Sequence, residues 1–296
     1  MKKVLACDGG GIKGAATAQF LYCLEEAYGS SLFNSFDMFA GTSTGGLISL
    51  AIGVTEKEGE DLISLYSYEN AQTIMDKSPW DRFLGLIQNC PKYDGIGKRT
   101  ILNQTFGDKL LSDAKKPTMV TTYDLGRRQS CVLKSWSDNW VASVTAANAG
   151  DATSAAPAYY PPVKVKDKWL IDGGVVANNP SMCAYVEAKK FWPDEEIRLL
   201  SIGTGKLTRR INGHDACEYG AVSWMTHDLI GIFMDFSVVD YQCKTLLGNN
   251  YLRVDSELHD VDDEMDNVSM QNLKSLKNLG MLWWEWFGAK ALDLLA

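Results

Sequence analysis

Residues 36–54, FDMFAGTSTGGLISLAIGV, decide the predicted fold. Residues 36–40 are mostly apolar, as in a buried strand, a glycine turn follows them, and residues 46–54 have the composition of a buried helix. The same order occurs near the N-terminus, where a strand at 3–7 leads through a glycine turn into a helix at 15–27. Two successive units of strand, tight turn and helix indicate a parallel sheet.

The rest of the chain continues the alternation of strands and helices. Further strands are predicted at 118–123, 129–133, 169–171, 197–202 and 251–254, and further helices at 141–149, 181–191, 222–247 and 270–295. Residues 59–107 are mainly helical but broken by prolines and glycines, which favours a cap or insertion, and residues 260–266 form an acidic loop. This pattern predicts an α/β fold with helices on both faces of the sheet. Without a linker-like segment, residues 1–296 are predicted to form a single domain.

Composition limits the classes of function. The chain has 296 residues, of which 46% are hydrophobic and 22% charged, and its formal net charge is -8. This charge argues against a nucleic-acid polymer as partner and against attraction of the whole protein to anionic lipid. The seven cysteines form no CxxC pair, so no zinc site is predicted. No secretory signal and no run of roughly 18 apolar residues is present, so we expect a cytoplasmic protein whose membrane contact is peripheral.

A Gly-x-Ser-x-Gly pattern lies in the turn at residues 41–45. At a nucleophile elbow, a sharp turn from a strand into a helix exposes the serine hydroxyl, here that of Ser43. Side chains at Gly41 and Gly45 would collide with the neighbouring strand and helix, so the turn requires glycine. The alternative is that Ser43 only caps the following helix. The strand predicted before the motif and the helix predicted after it favour a nucleophile.

A second glycine turn, at residues 9–14, allows two interpretations. It matches GxGxxG, the phosphate-binding turn of dinucleotide-binding folds, and a nucleotide-binding module is therefore the alternative function. That fold needs an acidic residue near the end of its second strand, whereas Asp37 lies near the beginning of that strand. The turn is equally suited to an oxyanion hole whose donors are the backbone amides of Gly9, Gly10 and Gly11.

A nucleophilic serine needs a base that accepts its proton. The chain contains three histidines: His214, His227 and His259. None lies at a predicted strand end, so each is interpreted as a surface or packing residue. Asp172 follows the predicted strand 169–171 and precedes two glycines, which places its carboxylate at the carboxyl edge of the sheet. Although a lone aspartate there would be assigned to capping a turn, beside Ser43 it predicts a Ser-Asp dyad, with a pKa raised by burial.

Three segments together resemble the patatin-like phospholipase family. They are Asp8-Gly9-Gly10-Gly11-Ile12-Lys13-Gly14, Gly41-Thr42-Ser43-Thr44-Gly45 and Asp172-Gly173-Gly174. Residues 152–162 and Asn178-Asn179-Pro180 look like further recurrent segments of the family. The resemblance covers roughly residues 1–205, a motif-bearing core that precedes a mainly helical part at 206–296.

The resemblance implies a three-layer α/β/α sandwich with a mainly parallel central sheet and a Ser-Asp dyad that needs no metal or cofactor. It implies a phospholipase A type of activity, which cleaves acyl esters of membrane phospholipids at the inner face of the membrane. Some bacterial members of the family are anti-phage effectors switched on by a cyclic nucleotide, so such an activator is an expectation here, although no sequence feature identifies its site. The remaining alternative, a catalytically silent scaffold, is weakened by the presence of Ser43 and Asp172.

Two features have open interpretations. Lys13, where the family often has arginine, either holds the glycine loop or a nearby anion, or is a solvated lysine at a helix start, which is the commoner role. The C-terminal segment 279–296 carries Trp283, Trp284, Trp286 and Phe287. These aromatic residues either dock on a bilayer or pack against the protein core, and core packing is the commoner explanation at helical spacing.

Overall fold

The computed structural model describes residues 1–76, 90–206, 211–220, 223–224, 237–259 and 261–296. Within these residues the strands are β1 (Lys2–Cys7), β2 (Met38–Gly41), β3 (Thr118–Asp124), β4 (Gln129–Lys134), β5 (Val163–Val165), β6 (Lys168–Asp172), β7 (Ile197–Ile202) and β8 (Tyr251–Val254). The helices are α1 (Gly14–Tyr28), α2 (Leu32–Ser35), α3 (Ser43–Thr55), α4 (Gly59–Leu65), α5 (Tyr68–Ile74), α6 (Ile96–Phe106), α7 (Ala146–Thr153), α8 (Gly174–Ala177), α9 (Ser181–Phe191), α10 (Gly213–Ala216), α11 (Ser237–Leu247) and α12 (Met270–Leu295).

All eight of these strands belong to one sheet. Its order is β5-β6-β3-β2-β1-β7-β8, and β4 pairs with β3 as well. The five strands β3, β2, β1, β7 and β8 are parallel, whereas β4 and β6 run antiparallel to β3, and β5 runs antiparallel to β6. The predicted α/β fold is confirmed, and its central strands are parallel as expected, but the antiparallel strands beside β3 make the sheet mixed.

Helices cover both faces of the sheet. Successive residues of a strand point to opposite faces, so Leu5 joins the larger core cluster, with residues of α1, α3, α7 and α12, while Val4 joins a smaller one with residues of α9 and α11. Both residues are fully buried. Because parallel strands covered on both sides need apolar residues at every position, the central strands are continuous apolar runs.

The antiparallel direction of β6 brings distant parts of the chain together. β4 occupies one edge of β3 over residues 119–124, so β2 and β6 share the other edge. There β2 runs parallel to β3 and ends at Gly41, opposite Val120, while β6 runs antiparallel and ends at Asp172, opposite Thr122. The two strands therefore point towards each other, and their carboxyl-terminal ends meet within about 7 Å along β3.

The predicted helix at 141–149 is divided in two. A 3-10 turn covers Trp140–Ser143, and α7 begins afterwards because the side chain of Thr145 accepts a hydrogen bond from the amide of Asn148 at 3.1 Å. Such a cap begins a new helix. Of the helix predicted at 222–247, the structure describes α11 and little else. Part of the predicted 59–107 insertion, residues 77–89, also lies outside the described residues.

The C-terminal helix α12 packs along α1. Trp283 is fully buried and donates a hydrogen bond from its indole nitrogen to Ser256 Oγ at 2.8 Å. Trp284 contacts Phe20, with ring centroids 5.9 Å apart, whereas Trp286 is 53% exposed. Core packing therefore explains Trp283, which is unavailable for docking on a bilayer. Among the described residues, no helix combines the length and the apolar character needed to cross a membrane.

Candidate active site

Ser43 occupies the sharp turn between β2 and α3. Its backbone has a φ of 53°, a left-handed conformation that is costly for a residue with a side chain and is typical of functional turns. A Cβ at Gly41 would lie 2.1 Å from the Gly45 carbonyl oxygen, and one at Gly45 would lie 2.2 Å from the Cys7 carbonyl oxygen. The predicted steric requirement for these two glycines is therefore met. The Ser43 amide donates to Thr153 Oγ1 at 3.0 Å, which fixes the turn.

Asp172 ends β6 and contacts Ser43. Both side chains line the same cavity, and the Gly174 amide donates a hydrogen bond to Asp172 Oδ1 at 2.7 Å. Asp172 is only 4% exposed. Burial raises its pKa from 3.8 to about 6, while Ser43, Gly174 and the charge of Lys98 hold it lower than burial alone would. A carboxylate with this pKa is ionised at neutral pH and still basic enough to accept a proton.

The glycine loop lies beside this pair, and the backbone of its first residue, Gly9, is held by three hydrogen bonds. The Gly9 amide donates to the Asn178 carbonyl oxygen at 3.2 Å. The Gly9 carbonyl oxygen accepts from Asn178 Nδ2 at 3.3 Å and from Thr204 Oγ1 at 2.8 Å. In the part of the chain that the structure describes, the amides of Gly10 and Gly11 have no acceptor. Because the Gly9 amide is already bonded, Gly10 and Gly11 are the better candidates for oxyanion donors.

The space around this loop excludes side chains. A Cβ at Gly9 would lie 2.3 Å from Asn178 Oδ1 and 3.1 Å from Ser43 Cβ, so only glycine allows the loop to approach the serine this closely. A Cβ at Gly10 would lie 2.1 Å from Thr204 Oγ1, and Gly11 has a φ of 61°. Each of the three positions therefore requires glycine, for a different steric or conformational reason.

Two other motif glycines allow close packing around the dyad. A Cβ at Gly14, the first residue of α1, would lie 2.3 Å from Thr44 Oγ1. A Cβ at Gly173 would lie 2.1 Å from Thr121 Oγ1. Glycine at these positions lets α1 and the chain after Asp172 lie directly against the serine turn and β3.

Lys13 is not the solvated lysine that its position made the commoner expectation. It is only 6% exposed, and its ammonium group donates to the carbonyl oxygen of Asp263 at 3.2 Å. The amide of Ile12 likewise donates to the carbonyl oxygen of Met265 at 2.9 Å. Residues after the glycine loop thus hold the acidic segment near 263–265 against it, a contact that sequence spacing could not reveal.

A buried network of charged side chains holds the residue before the glycine loop and the turn that carries Thr204. Arg253 Nη2, on β8, binds the carboxylates of Asp8 and Asp255, and its Nη1 donates to Ser201 Oγ at 2.8 Å. Asp255 Oδ1 accepts from the Gly205 amide at 3.0 Å and so holds the turn that carries Thr204. Burial raises the pKa of Asp8, against the opposing charge of Arg253. The residue before the glycine loop and the residue that binds its first carbonyl are therefore parts of one network.

An apolar cavity of about 340 Å³ opens at the dyad. Ser43, Asp172, Gly10 and Gly11 line it together with many apolar and aromatic side chains. Those side chains include Leu47, Leu65, Ile74, Met75, Tyr160 and Val175. Apolar walls with a few polar groups at one end are what an aliphatic chain with a reactive polar head requires.

Lys98 is the polar group of this cavity that the sequence did not indicate. Its ammonium group lies 3.1 Å from Asp151 Oδ1, donates to the Ser154 carbonyl oxygen at 3.0 Å, and lies 4.1 Å from the ring centroid of Tyr160. Burial lowers the pKa of Lys98, and Asp151 opposes this effect. The pairing lets a cation remain next to apolar walls, where it favours the ionised form of Asp172.

The alternatives from the sequence receive little structural support. The side chains of His214 and His259 are largely exposed, and His227 lies outside the described residues. Asp37 accepts from the Lys3 amide at 2.9 Å, at the edge of the sheet opposite the glycine loop, so it is not placed to bind a ribose. The described residues include no group of three or more His, Cys, Asp or Glu side chains that could hold a metal ion.

Comparison with known proteins finds relatives that match almost the whole chain. The family model described as patatin-like phospholipase matches residues 5–185. The chain is 29% identical to patatin-like protein 2 of Arabidopsis thaliana, covering 94% of this chain and 81% of that protein. It is also 29% identical to a cGAMP-activated phospholipase of Pseudomonas aeruginosa, covering 94% of this chain and 86% of that protein. The crystal structure of VipD from Legionella pneumophila matches 98% of this chain and 67% of its own, with a TM-score of 0.54 and 14% identity, which supports the fold.

Proposed function

Because the chain belongs to the patatin-like phospholipase family, we propose that it is a lipid acyl hydrolase that cleaves acyl esters of membrane phospholipids. Ser43 is the nucleophile of this reaction and Asp172 its base. The observation that carries the proposal is that Ser43 and Asp172 line one apolar cavity together with Gly10 and Gly11, whose amides have no acceptor among the described residues. A silent scaffold would not need a strained serine, a buried carboxylate and two unbonded amides at one point.

The reaction follows from these groups. Asp172 accepts the proton of the Ser43 hydroxyl while Oγ attacks the carbonyl carbon of the ester. The tetrahedral intermediate places its negative oxygen against the amides of Gly10 and Gly11. When the intermediate collapses, the carbon–oxygen bond to the lysolipid breaks, and the proton on Asp172 passes to the leaving oxygen. Water then attacks the acyl-serine with Asp172 again as base, which releases the fatty acid and restores Ser43.

The peptide group between Gly9 and Gly10 orients one of the proposed oxyanion donors, the Gly10 amide. In a trans peptide the carbonyl oxygen of one residue and the amide hydrogen of the next point in opposite directions. Asn178 and Thr204 bind the Gly9 carbonyl oxygen from one side, so the Gly10 amide is directed to the other side. We assign Asn178 and Thr204 as positioning residues, because a well-directed donor contributes about 3–4 kcal/mol to the transition state and a tilted one contributes less.

Labelling by a fluorophosphonate tests the proposed nucleophile. The wild-type protein should be labelled, and Ser43→Ala should not be. Ser49→Ala is the matched control, since Ser49 lies on the same helix α3, is fully buried, and its hydroxyl has no hydrogen-bond partner among the described residues. Labelling that persists in Ser43→Ala, or disappears equally in Ser49→Ala, would remove Ser43 as nucleophile.

The products identify the reaction. Phospholipid vesicles incubated with wild-type protein should yield free fatty acid and lysolipid by mass spectrometry, and Asp172→Asn should fold but yield neither. His214→Gln and His259→Gln should retain wild-type rates because neither side chain reaches the cavity. A folded histidine variant without activity would show that the base has been misassigned.

We further propose regulation by a cyclic nucleotide, in an effector of anti-phage defence that acts at the inner face of the membrane. The support is the similarity to the cGAMP-activated phospholipase over 94% of this chain. Vesicle hydrolysis should then rise at least tenfold when cyclic dinucleotides or trinucleotides are added. Full activity without any of them would contradict this regulation and leave the dyad unaffected.

A further inference from the structure

The part of the sheet beyond the active site has one covered and one uncovered face. Val163 and Leu170, on β5 and β6, point into the larger core. The alternate residues point to the opposite face, where Lys164 pairs with Trp169 and Tyr123 pairs with Ile171 across neighbouring strands. We call these four residues the outer face. Trp169 is 50% exposed, Lys164 is exposed, and the other two are half-buried. A single exposed tryptophan would need no explanation, but an exposed apolar group beside a cluster of cations suits a particular kind of partner.

The chain that leaves the outer face leads to the wall of the cavity. Asp172 directly follows Ile171 on β6, and α8 begins two residues later. Val175 and Val176 on this short helix are 37% and 46% exposed, and Val175 lines the cavity that contains the dyad. The side chain of Asp172 points, like that of Leu170, to the face of the sheet on which the cavity lies, so α8 is the element that joins an exposed apolar side chain, Val176, to the cavity wall at Val175.

Basic residues border the outer face at the end away from the dyad. Arg127 and Arg128 lie exposed in the turn between β3 and β4, and Lys166 lies exposed in the turn between β5 and β6. The two turns lie at the same end of the sheet, because the amide of Leu125 donates to the Trp169 carbonyl oxygen at 2.9 Å. With Lys164 these side chains supply four cations beside one exposed carboxylate, that of Asp167, so the region is basic on balance although the chain has a net charge of -8.

We propose that the outer face and its basic border bind an anionic phospholipid bilayer. This inference rests on the proposed function, since a phospholipid must leave the bilayer to enter the cavity. The net negative charge would repel such a surface, so contact has to be made by a locally basic region. Trp169 suits the headgroup region, where an amphipathic ring finds both apolar and polar surroundings. A second copy of the chain is a poorer occupant, because a symmetric dimer would bring the two basic patches together.

The orientation on the bilayer follows from the same residues. Trp169 and Val176 contact the headgroup region, and the four cations contact phosphates around them. The opening of the cavity, marked by Val175, then lies at the membrane surface. A lipid can move from the bilayer into the cavity without its acyl chain crossing open water, which would expose apolar surface.

Vesicle sedimentation with three proteins tests the docking surface. The first two are the wild type and Trp169→Ala/Arg127→Gln/Arg128→Gln. The third is a control, Lys57→Gln/Lys115→Gln, which removes two cations at the opposite edge of the sheet, beyond the end of α3. Vesicles contain phosphatidylglycerol with phosphatidylethanolamine, or phosphatidylcholine alone. We expect the triple variant to bind the anionic vesicles at least tenfold more weakly than the wild type and the control, with the difference shrinking as salt is added.

Hydrolysis of a soluble ester distinguishes a loss of membrane binding from a loss of catalytic activity. The triple variant should hydrolyse a monomeric short-chain ester at the wild-type rate and lose activity only on vesicles. Equal vesicle binding by wild type and triple variant would overturn the proposal. An equal loss of vesicle binding in the control would overturn it as well. A concentration-dependent dimer of the wild type that the triple variant alone fails to form would also overturn it, because the outer face would then bind a second copy of the chain. If the wild type binds vesicles through this face but hydrolyses no ester, the proposed function fails and the docking surface stands.

Discussion

The pH dependence of ester hydrolysis tests the central pair of side chains. Only ionised Asp172 can accept the proton of Ser43, so kcat/KM should rise with pH and level off above the pKa of Asp172. With that pKa at about 6, about 10% of the carboxylate is ionised at pH 5 and about 90% at pH 7. The structure therefore predicts an increase of roughly ninefold between these pH values.

The assay uses a neutral nitrophenyl ester followed at the isosbestic wavelength of the product, so that neither substrate nor signal depends on pH. Circular dichroism at each pH shows whether the protein stays folded. Because kcat/KM reports on the free enzyme, the midpoint is that of the unliganded dyad. A flat profile between pH 5 and 7, or a midpoint near 4, would refute the argument that burial has made Asp172 a competent base.

Lys98 provides an internal control for the same profile. Its charge lowers the pKa of Asp172, so Lys98→Met should move the midpoint to higher pH. Arg99 binds the same Asp151 carboxylate, but its side chain is 54% exposed, so solvent screens its charge from Asp172. Arg99→Gln should therefore leave the midpoint unchanged. The pKa of Asp8 is also raised, but Asp8 does not line the cavity. A midpoint set by Asp8 would therefore not move in Lys98→Met.

Three further predictions concern stability and geometry. The raised pKa of Asp172 means that the folded protein binds its proton more tightly than the unfolded chain, so stability falls as pH rises from about 4 to about 6. Asp172→Asn should therefore be inactive yet about 1–3 kcal/mol more stable than wild type at pH 7, and the difference should fall below about 1 kcal/mol at pH 4, in urea unfolding. Thr204→Val should lower kcat on the order of tenfold with little change in KM, and Thr204→Ser, which keeps the hydroxyl, should restore it; equal rates would exclude the positioning role. Trp283→Ala should cost about 3–5 kcal/mol in unfolding free energy and Trp286→Ala less than 1, because only the first is buried.

The strands and the glycine turns could be predicted from sequence because their signals are local. The predicted strand at 197–202 and helix at 181–191 coincide with β7 and α9. The direction of β6 could not be predicted, since a run of five residues carries no information about which neighbour it pairs with or in which sense. That direction is nevertheless what places Asp172 opposite the end of β2.

The residues of the candidate site also differ in whether the sequence alone could have identified them. Ser43 follows a short strand, Asp172 ends one, and both stand among glycines, which marks a turn at the carboxyl edge of a sheet. Lys98 carries no such mark: it lies on the amphipathic helix α6, where a lysine is ordinarily solvated, and only the fold brings Asp151 to it. Thr204 follows β7 between two glycines and could have been singled out as a turn residue, but its acceptor, the Gly9 carbonyl, is 195 positions away.

The support of the glycine loop extends beyond the part of the chain that matches the family model. That model ends at residue 185, yet Thr204 binds the Gly9 carbonyl, Arg253 binds the Asp8 carboxylate, and the Met265 carbonyl binds the Ile12 amide. Backbone amides can stabilise an oxyanion only if their direction is fixed before the reaction begins. The motif supplies the two unbonded amides, but their direction depends on β7, β8 and the acidic segment near residue 265. Among the described residues, the C-terminal third of the chain therefore positions the proposed active site and supplies no group to the proposed chemical steps.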